Sequence, residues 1–115
     1  MILIDPLDYE TTLYLLSKMN LVMTDSGGLQ EEAPSFGVPV VVMRNHTERQ
    51  EGLCRGFATV AGTEHDLIIE AASRYLDGSF DQKKLFSGDN PYGDAKASLR
   101  ILSGLLGKRE VDFCG

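Results

Sequence analysis

The sequence predicts an α/β fold: a parallel sheet of about four strands with helices on both faces. Short apolar runs alternate with amphipathic stretches along the chain, as in proteins built from strand–helix units. No two-residue hairpin signal such as Asn-Gly separates the candidate strands, which favours parallel neighbours. The run VPVVVM at residues 38–43 is almost purely apolar and β-branched, which is typical of a strand buried on both faces.

The amino-terminal part contains two candidate strands around one helix. An apolar run at residues 1–4 is the first strand candidate, and residues 21–23 are the second. Between them, residues 9–19 have helical spacing, and one stripe of that helix is formed by Tyr9, Leu13 and Leu16.

A second helix is predicted at residues 28–36, directly before the strand at 38–43. Gly37 is placed to end this helix as a carboxyl-terminal cap. Pro34 should bend it, because proline has no N–H to donate to the Gln30 carbonyl.

A short helix and a weak fourth strand follow the buried strand. Thr47 and Gln50 fit a capping box, which predicts a helix from Thr47 to about Arg55. Residues 58–61 are the fourth strand candidate.

The carboxyl-terminal part is predicted to be mainly helical. Thr63 should cap a helix at residues 64–76, and a short helix is expected at 80–86. After a loop at residues 90–93, Asp94 should cap a last helix that ends at residue 106. The inward face of the 64–76 helix is predicted to contain Ile68, Ala72, Tyr75 and Leu76.

Composition and charge exclude several classes of function. With 115 residues, 43% apolar and 24% charged, the chain suits one globular domain. A net charge of -6 without a basic cluster argues against nucleic-acid binding. There is neither a signal-peptide pattern nor a membrane-length apolar run, so a cytoplasmic protein without a membrane partner is expected. Two separated cysteines, Cys54 and Cys114, and two histidines predict no metal site and no cofactor.

The most informative stretch is the turn Asp25-Ser26-Gly27-Gly28, between a predicted strand and a predicted helix. Ligands of open α/β sheets bind at the carboxyl ends of strands. Two consecutive glycines allow close approach of a ligand, Ser26 adds a hydroxyl donor, and the helix contributes its positive end. Together these features suit a phosphate, but the same residues also suit an ordinary cap and turn, and spacing does not decide between the two.

Two further residues have both a binding and a structural interpretation. Glu32, about one helical turn further on, has the chemistry to accept hydrogen bonds from a ribose diol, but it also suits the helix dipole. Arg49 has the chemistry to contact a diphosphate bidentately. The alternative for Arg49, and for Arg44, is a surface salt bridge with Glu48 or Glu51.

The string TDSGGLQEEAPSFGVPVVVMRNHTERQEG at residues 24–52 strongly resembles the non-hydrolysing UDP-N-acetylglucosamine 2-epimerases. DPLDY at residues 5–9 and NPYGD at residues 90–94 agree with that family in order. The resemblance implies that residues 1–115 are part of a Rossmann-like, glycosyltransferase-B-type carboxyl-terminal domain. In this interpretation the domain binds UDP, and the amino-terminal domain of the family is absent.

The resemblance also implies a reaction and a set of binding residues. The family inverts C2 of the sugar, converting UDP-GlcNAc to UDP-ManNAc by eliminating UDP and adding it back. By motif match, Ser26, Gly27 and Gly28 would hold the β-phosphate, Glu32 the ribose hydroxyls, and Arg49 the diphosphate. Such donors would stabilise the charge that develops on UDP as it leaves.

The length implies that this chain lacks the catalytic groups. Members of the family are several-fold longer, and the missing part supplies the acidic residues thought to move the C2 proton. No catalytic residue is therefore assigned, and the chain alone is not expected to turn over. In particular, the role of moving the C2 proton is not assigned to the acidic residues of this chain near the motif, which are Asp25, Glu31, Glu48 and Glu51.

Three alternatives remain open at this point. The chain could be a nucleotide-binding module without catalysis, a glycosyltransferase of the same fold, or a self-associating remnant. A sheet shortened in this way would have an open edge near residues 1–4 and exposed apolar faces, which predicts a homo-oligomer. The expected small-molecule partner is UDP or a UDP-sugar.

Overall fold

A three-stranded parallel sheet forms the centre of the protein. The computed structural model describes residues 1–77 and 90–108, so the helix expected at 80–86 and Cys114 lie outside the described residues. The strand order is β1-β2-β3, which confirms the parallel α/β fold with three strands in the described part of the chain. The elements are α1 Tyr9–Leu16, β1 Val22–Thr24, α2 Gly27–Glu32, a 3-10 helix Ala33–Phe36, β2 Val40–Val42, α3 Gln50–Cys54, β3 Ala58–Val60, α4 His65–Leu76 and α5 Ala97–Leu105.

The central strand β2 is buried on both faces, as its composition predicts. Val40, Val41 and Val42 are all 0% exposed. Side chains alternate between the faces of a strand. Val40 and Val42 therefore pack with Leu16 and Ala33 on one face, and Val41 packs on the other. Helices consequently cover both faces of the sheet, with α1 and the 3-10 helix on one side and α4 on the other.

Residues 1–4 do not form the predicted strand. Their side chains are exposed, from 63% at Ile4 to 111% at Met1. Apolar composition favours a strand only when a neighbouring strand takes its backbone hydrogen bonds. Among the described residues β1 pairs with β2 alone, so β1 is an edge of the sheet, and residues 1–4 do not extend that sheet.

The second predicted helix changes at Pro34 and is capped by Gly37, in line with the roles predicted for these two residues. At Ala33 the α-helical bonding of α2 changes to a 3-10 turn, because Pro34 has no N–H to continue the α-helical ladder. Gly37 has a φ of 66°, a left-handed conformation that glycine adopts without strain. Its N–H donates to the Pro34 carbonyl at 3.0 Å, and the chain then enters β2.

Helix α3 begins later than the capping-box pattern predicts. Its first residue is Gln50, and Arg49 rather than Thr47 is the cap. The Thr47 hydroxyl donates to the buried side chain of Gln30 at 2.8 Å and accepts from the Arg49 N–H at 3.2 Å. Because Thr47 is held by this tertiary contact, it precedes the helix instead of capping it.

Helix α4 packs through a narrower stripe than predicted. Ala71 is buried, and Ile68 and Tyr75 pack around it against β2. The predicted inward position of Leu76 is wrong, since this side chain is 61% exposed. One residue is a 100° rotation in a helix, so Leu76 points away from the face that contains Tyr75. The cap of α4 is Glu64, one residue after the predicted Thr63.

No helix in the described part of the chain is both long and apolar enough to cross a membrane.

Asp94 supports the start of α5 from outside the helix. The helix begins at Ala97, with Lys96 as its cap, so Asp94 is not the cap residue. The Asp94 carboxylate accepts a hydrogen bond from the Lys96 N–H at 3.1 Å and two from the Arg100 guanidinium at 2.8 and 2.7 Å. The hydrogen bonds from Arg100 hold the pKa of the Asp94 carboxyl well below its usual range.

We predict that Asp94 makes stability depend on acid pH. A carboxyl group whose pKa is lowered by folding contributes stability above its ordinary pKa of 3.8, and that contribution is lost as the pH falls further. Asp94→Asn should therefore lower the urea midpoint at pH 7, and the difference from wild type should shrink below about pH 4. Asp5→Asn, which removes an exposed carboxylate, is the control. A constant difference across that pH range would contradict the assignment.

Candidate functional site

The turn between β1 and α2 presents two glycines at the start of a helix. Ser26 is the cap of α2, so Gly27 and Gly28 are its first two residues, whose N–H groups have no acceptor within the helix. The Ser26 N–H is already used, because it donates to the buried Thr24 hydroxyl at 2.9 Å. The exposed Ser26 hydroxyl makes no capping bond, so it is the donor that Ser26 offers to a ligand.

Arg49 lies directly against Gly27. A Cβ built on Gly27 would be 2.7 Å from both Cζ and Nη2 of Arg49, closer than real Cβ contacts. At Gly28 the nearest atom to such a Cβ is the Ser26 hydroxyl oxygen, at 3.9 Å. The structure therefore brings together four predicted site residues, namely Ser26, Gly27, Gly28 and Arg49. Glycine at position 27 makes the close approach of the Arg49 guanidinium possible.

Two carboxylates hold the Arg49 guanidinium in this place. Nε donates to Glu31 at 2.9 Å, and Nη1 donates to Glu48. Among residues 1–77 and 90–108, no protein acceptor takes a hydrogen bond from Nη2. The expected salt bridge with Glu48 is confirmed, whereas Glu31 was not predicted, because nothing in its local sequence indicates a partner in a distant loop.

Glu48 is shared by two arginines. Arg44 Nη1 lies 3.6 Å from the second oxygen of Glu48. The backbone N–H of Glu48, followed by the positive charges of Arg49 and Arg44, lowers the pKa of this carboxyl. Glu48 thus stays ionised at neutral pH and supports Arg49 from the solvent side, where it is itself 61% exposed.

A buried chain of hydrogen bonds lies beneath the turn. Gln30 is 1% exposed and Thr47 is 7% exposed. Gln30 Nε2 donates to the Ser26 carbonyl at 3.2 Å, and the Thr47 hydroxyl donates to Gln30 Oε1 at 2.8 Å. These two residues link the turn to the loop before α3. Sequence reasoning assigned neither of them to the site, because the burial of Gln30 is visible only in the structure.

Glu32 is the last residue of α2 and is half-buried. It does not take part in the ion pairs that Arg49 makes within the described part of the chain, which use Glu31 and Glu48. In the described part of the chain no group of three or more His, Cys, Asp and Glu side chains is placed to hold a metal ion.

Comparison with known proteins gives a consistent result. Residues 1–106 match the family model described as UDP-N-acetylglucosamine 2-epimerase. The chain is 44% identical over 108 residues to the UDP-N-acetylglucosamine 2-epimerase of Escherichia coli K12, covering 94% of this chain and 29% of that protein. It is 46% identical over 99 residues to a probable UDP-N-acetylglucosamine 2-epimerase of Ralstonia solanacearum, covering 86% and 26%. The chain thus spans less than a third of the length of these relatives.

Solved structures agree in fold. The S. aureus MnaA–UDP co-structure has a TM-score of 0.82 at 39% identity, covering 96% of this chain and 31% of that one. The Neisseria meningitidis UDP-GlcNAc 2-epimerase bound to UDP-GlcNAc has a TM-score of 0.75 at 40% identity, covering 91% and 29%.

We predict that Gly27→Ala displaces the Arg49 guanidinium without unfolding the protein. The new methyl group meets the flexible end of a side chain, so Arg49 should swing away and lose Glu31. The loss of an exposed ion pair costs no more than about 1 kcal/mol of unfolding free energy. In 1H–15N spectra, the Arg49 Nε–H resonance should shift and exchange faster in Gly27→Ala. Gly28→Ala, which meets nothing closer than 3.9 Å, should leave that resonance unchanged. If the Arg49 Nε–H resonance shifted equally in Gly27→Ala and Gly28→Ala, this geometry would be refuted.

Proposed function

The chain belongs to the UDP-N-acetylglucosamine 2-epimerase family, and we propose that residues 1–115 form the UDP-binding part of its carboxyl-terminal domain. One observation carries the proposal: the Arg49 guanidinium is held against Gly27 at the start of α2. Relatives of the same fold have been solved with UDP and with UDP-GlcNAc. A diphosphate at this turn would meet donors that are already in position.

The proposed contacts follow from the donors that remain available. The N–H groups of Gly27 and Gly28 and the hydroxyl of Ser26 bind the β-phosphate. Arg49 uses Nη2 for the diphosphate while Nε and Nη1 stay with the carboxylates. Because this side chain is held before the ligand arrives, binding costs less rotamer entropy. Glu32 accepts hydrogen bonds from the ribose hydroxyls.

For the complete protein we propose C2 epimerisation of UDP-GlcNAc to UDP-ManNAc by elimination and re-addition of UDP. Negative charge grows on the β-phosphate as the bond to the sugar breaks. Donors fixed around that phosphate stabilise the transition state more than the substrate. In this proposal, the groups that remove and return the C2 proton lie outside this chain, which covers 29% of the E. coli relative.

Self-association is a second proposal, and one observation favours it. Residues 1–4 are apolar and exposed, from 63% to 111%, and within the described part of the chain the edge strand β1 pairs on one side only. Such an edge and apolar segment favour contact with a second copy or with the remainder of a longer protein.

We predict that the chain binds UDP weakly through its diphosphate. Without the contacts of a second domain, the dissociation constant should be about 1 mM, or roughly -4 kcal/mol. Amide shifts should concentrate at Gly27 and Gly28. Arg49→Gln should weaken UDP binding about tenfold or more, as expected for a charged hydrogen bond, without changing the response to uridine. Arg74→Gln, on the opposite side of the sheet, is the matched control. Absence of shifts at these glycines in saturating UDP would overturn the proposal.

We also predict that the chain alone does not epimerise UDP-GlcNAc. Incubation followed by 1H NMR should show no UDP-ManNAc, because proton abstraction requires a positioned acid–base group. The full-length E. coli relative, run in parallel, verifies the assay. Turnover by the isolated chain would show that it contains its own acid–base groups.

A further inference from the structure

The loop at residues 90–92 contacts both halves of the site. It comes from a distant part of the sequence, yet it reaches the end of α2 and the start of α3. Pro91, between the two contacting side chains, is fully buried and anchors the loop. The proposed UDP contacts assign no role to these residues.

Asn90 holds the α2 side. Its Nδ2 donates to the Glu31 carbonyl at 3.0 Å and to the Ser35 hydroxyl at 2.6 Å. Its Oδ1 accepts the Tyr92 N–H at 2.9 Å, which closes the loop on itself. These bonds fix the backbone of Glu31, whose carboxylate accepts a hydrogen bond from Arg49.

Tyr92 holds the α3 side. Its hydroxyl donates to the Arg49 carbonyl at 3.3 Å and accepts the Gly52 N–H at 3.0 Å. A Cβ at position 52 would collide with this hydroxyl, so the contact requires glycine there. Burial raises the pKa of Tyr92, and the hydroxyl therefore stays protonated and able to donate at neutral pH.

We infer that Asn90 and Tyr92 are positioning residues, which hold the backbones of Glu31 and Arg49 at the separation that keeps the guanidinium against Gly27. The Glu31–Arg49 ion pair does not set this geometry by itself, because exposed ion pairs contribute little free energy. Helix α2, which contains Glu31, and helix α3, which follows Arg49, are only six and five residues long and need other contacts to hold them in place. The inference rests on the proposed contact between Arg49 and the diphosphate. It extends the site to a loop that does not touch the ligand.

The test compares two tyrosine variants. Tyr92→Phe removes one hydroxyl and should shift the Arg49 Nε–H resonance, accelerate its exchange and weaken UDP binding about 2- to 10-fold, the range for one neutral hydrogen bond. Uridine binding should not change. Tyr75→Phe removes a hydroxyl that is hydrogen-bonded to Thr59 on the other face, and it should leave both readouts as in wild type. In an Arg49→Gln background, Tyr92→Phe should not weaken UDP binding further.

Each outcome decides one claim. An unchanged Arg49 Nε–H resonance in Tyr92→Phe overturns the positioning role, and so does an equal loss of UDP affinity in the Arg49→Gln background. If wild type does not bind UDP, the proposed function fails, while the Nε–H comparison still decides the positioning role. If Tyr92→Phe does not fold, Asn90→Asp, which removes the donor to Glu31, is measured in the same way.

Discussion

The buried hydrogen bond between the Thr47 hydroxyl and the Gln30 side chain is the contact on which the site depends. It joins α2 to the loop before α3, and both partners are almost fully buried. Glu31 follows one partner, and Arg49 lies two residues after the other, so this bond contributes, together with the contacts of Asn90 and Tyr92, to the distance between the ion-paired residues. Its loss would leave a buried amide oxygen unpaired, at a cost of about 1–3 kcal/mol. Among the described residues every buried side-chain polar atom has a partner.

The sheet explains why the two loops meet. β1 and β2 are parallel neighbours, so the segments that follow them leave from the same edge. The Met43 N–H donates to the Thr24 carbonyl at 2.9 Å, which keeps the strand ends together. β2 is buried on both faces and lies between the other two strands.

An acidic protein with a net charge of -6 can still offer a local anion site. The carboxylates of Glu31 and Glu48 reduce the positive field of Arg49, but they also fix its direction. A site of this kind recognises an anion through the geometry of its donors more than through net charge. Such a geometry would suit the proposed leaving group, whose charge develops at one known position.

The sequence by itself determined the parallel α/β fold, the change in the second helix at Pro34 with its cap at Gly37, and the glycine turn between a strand and a helix, and the resemblance to a known family added Arg49 to the site. These features follow from local rules, namely apolar runs, backbone freedom and a family-like motif. Only the tertiary structure decided the contacts between separate elements, and it also left residues 1–4 outside the described sheet. Such contacts depend on distances that no local pattern contains, because each partner lies many residues away. The residues placed in this way are Gln30, Glu31, Thr47, Asn90 and Tyr92.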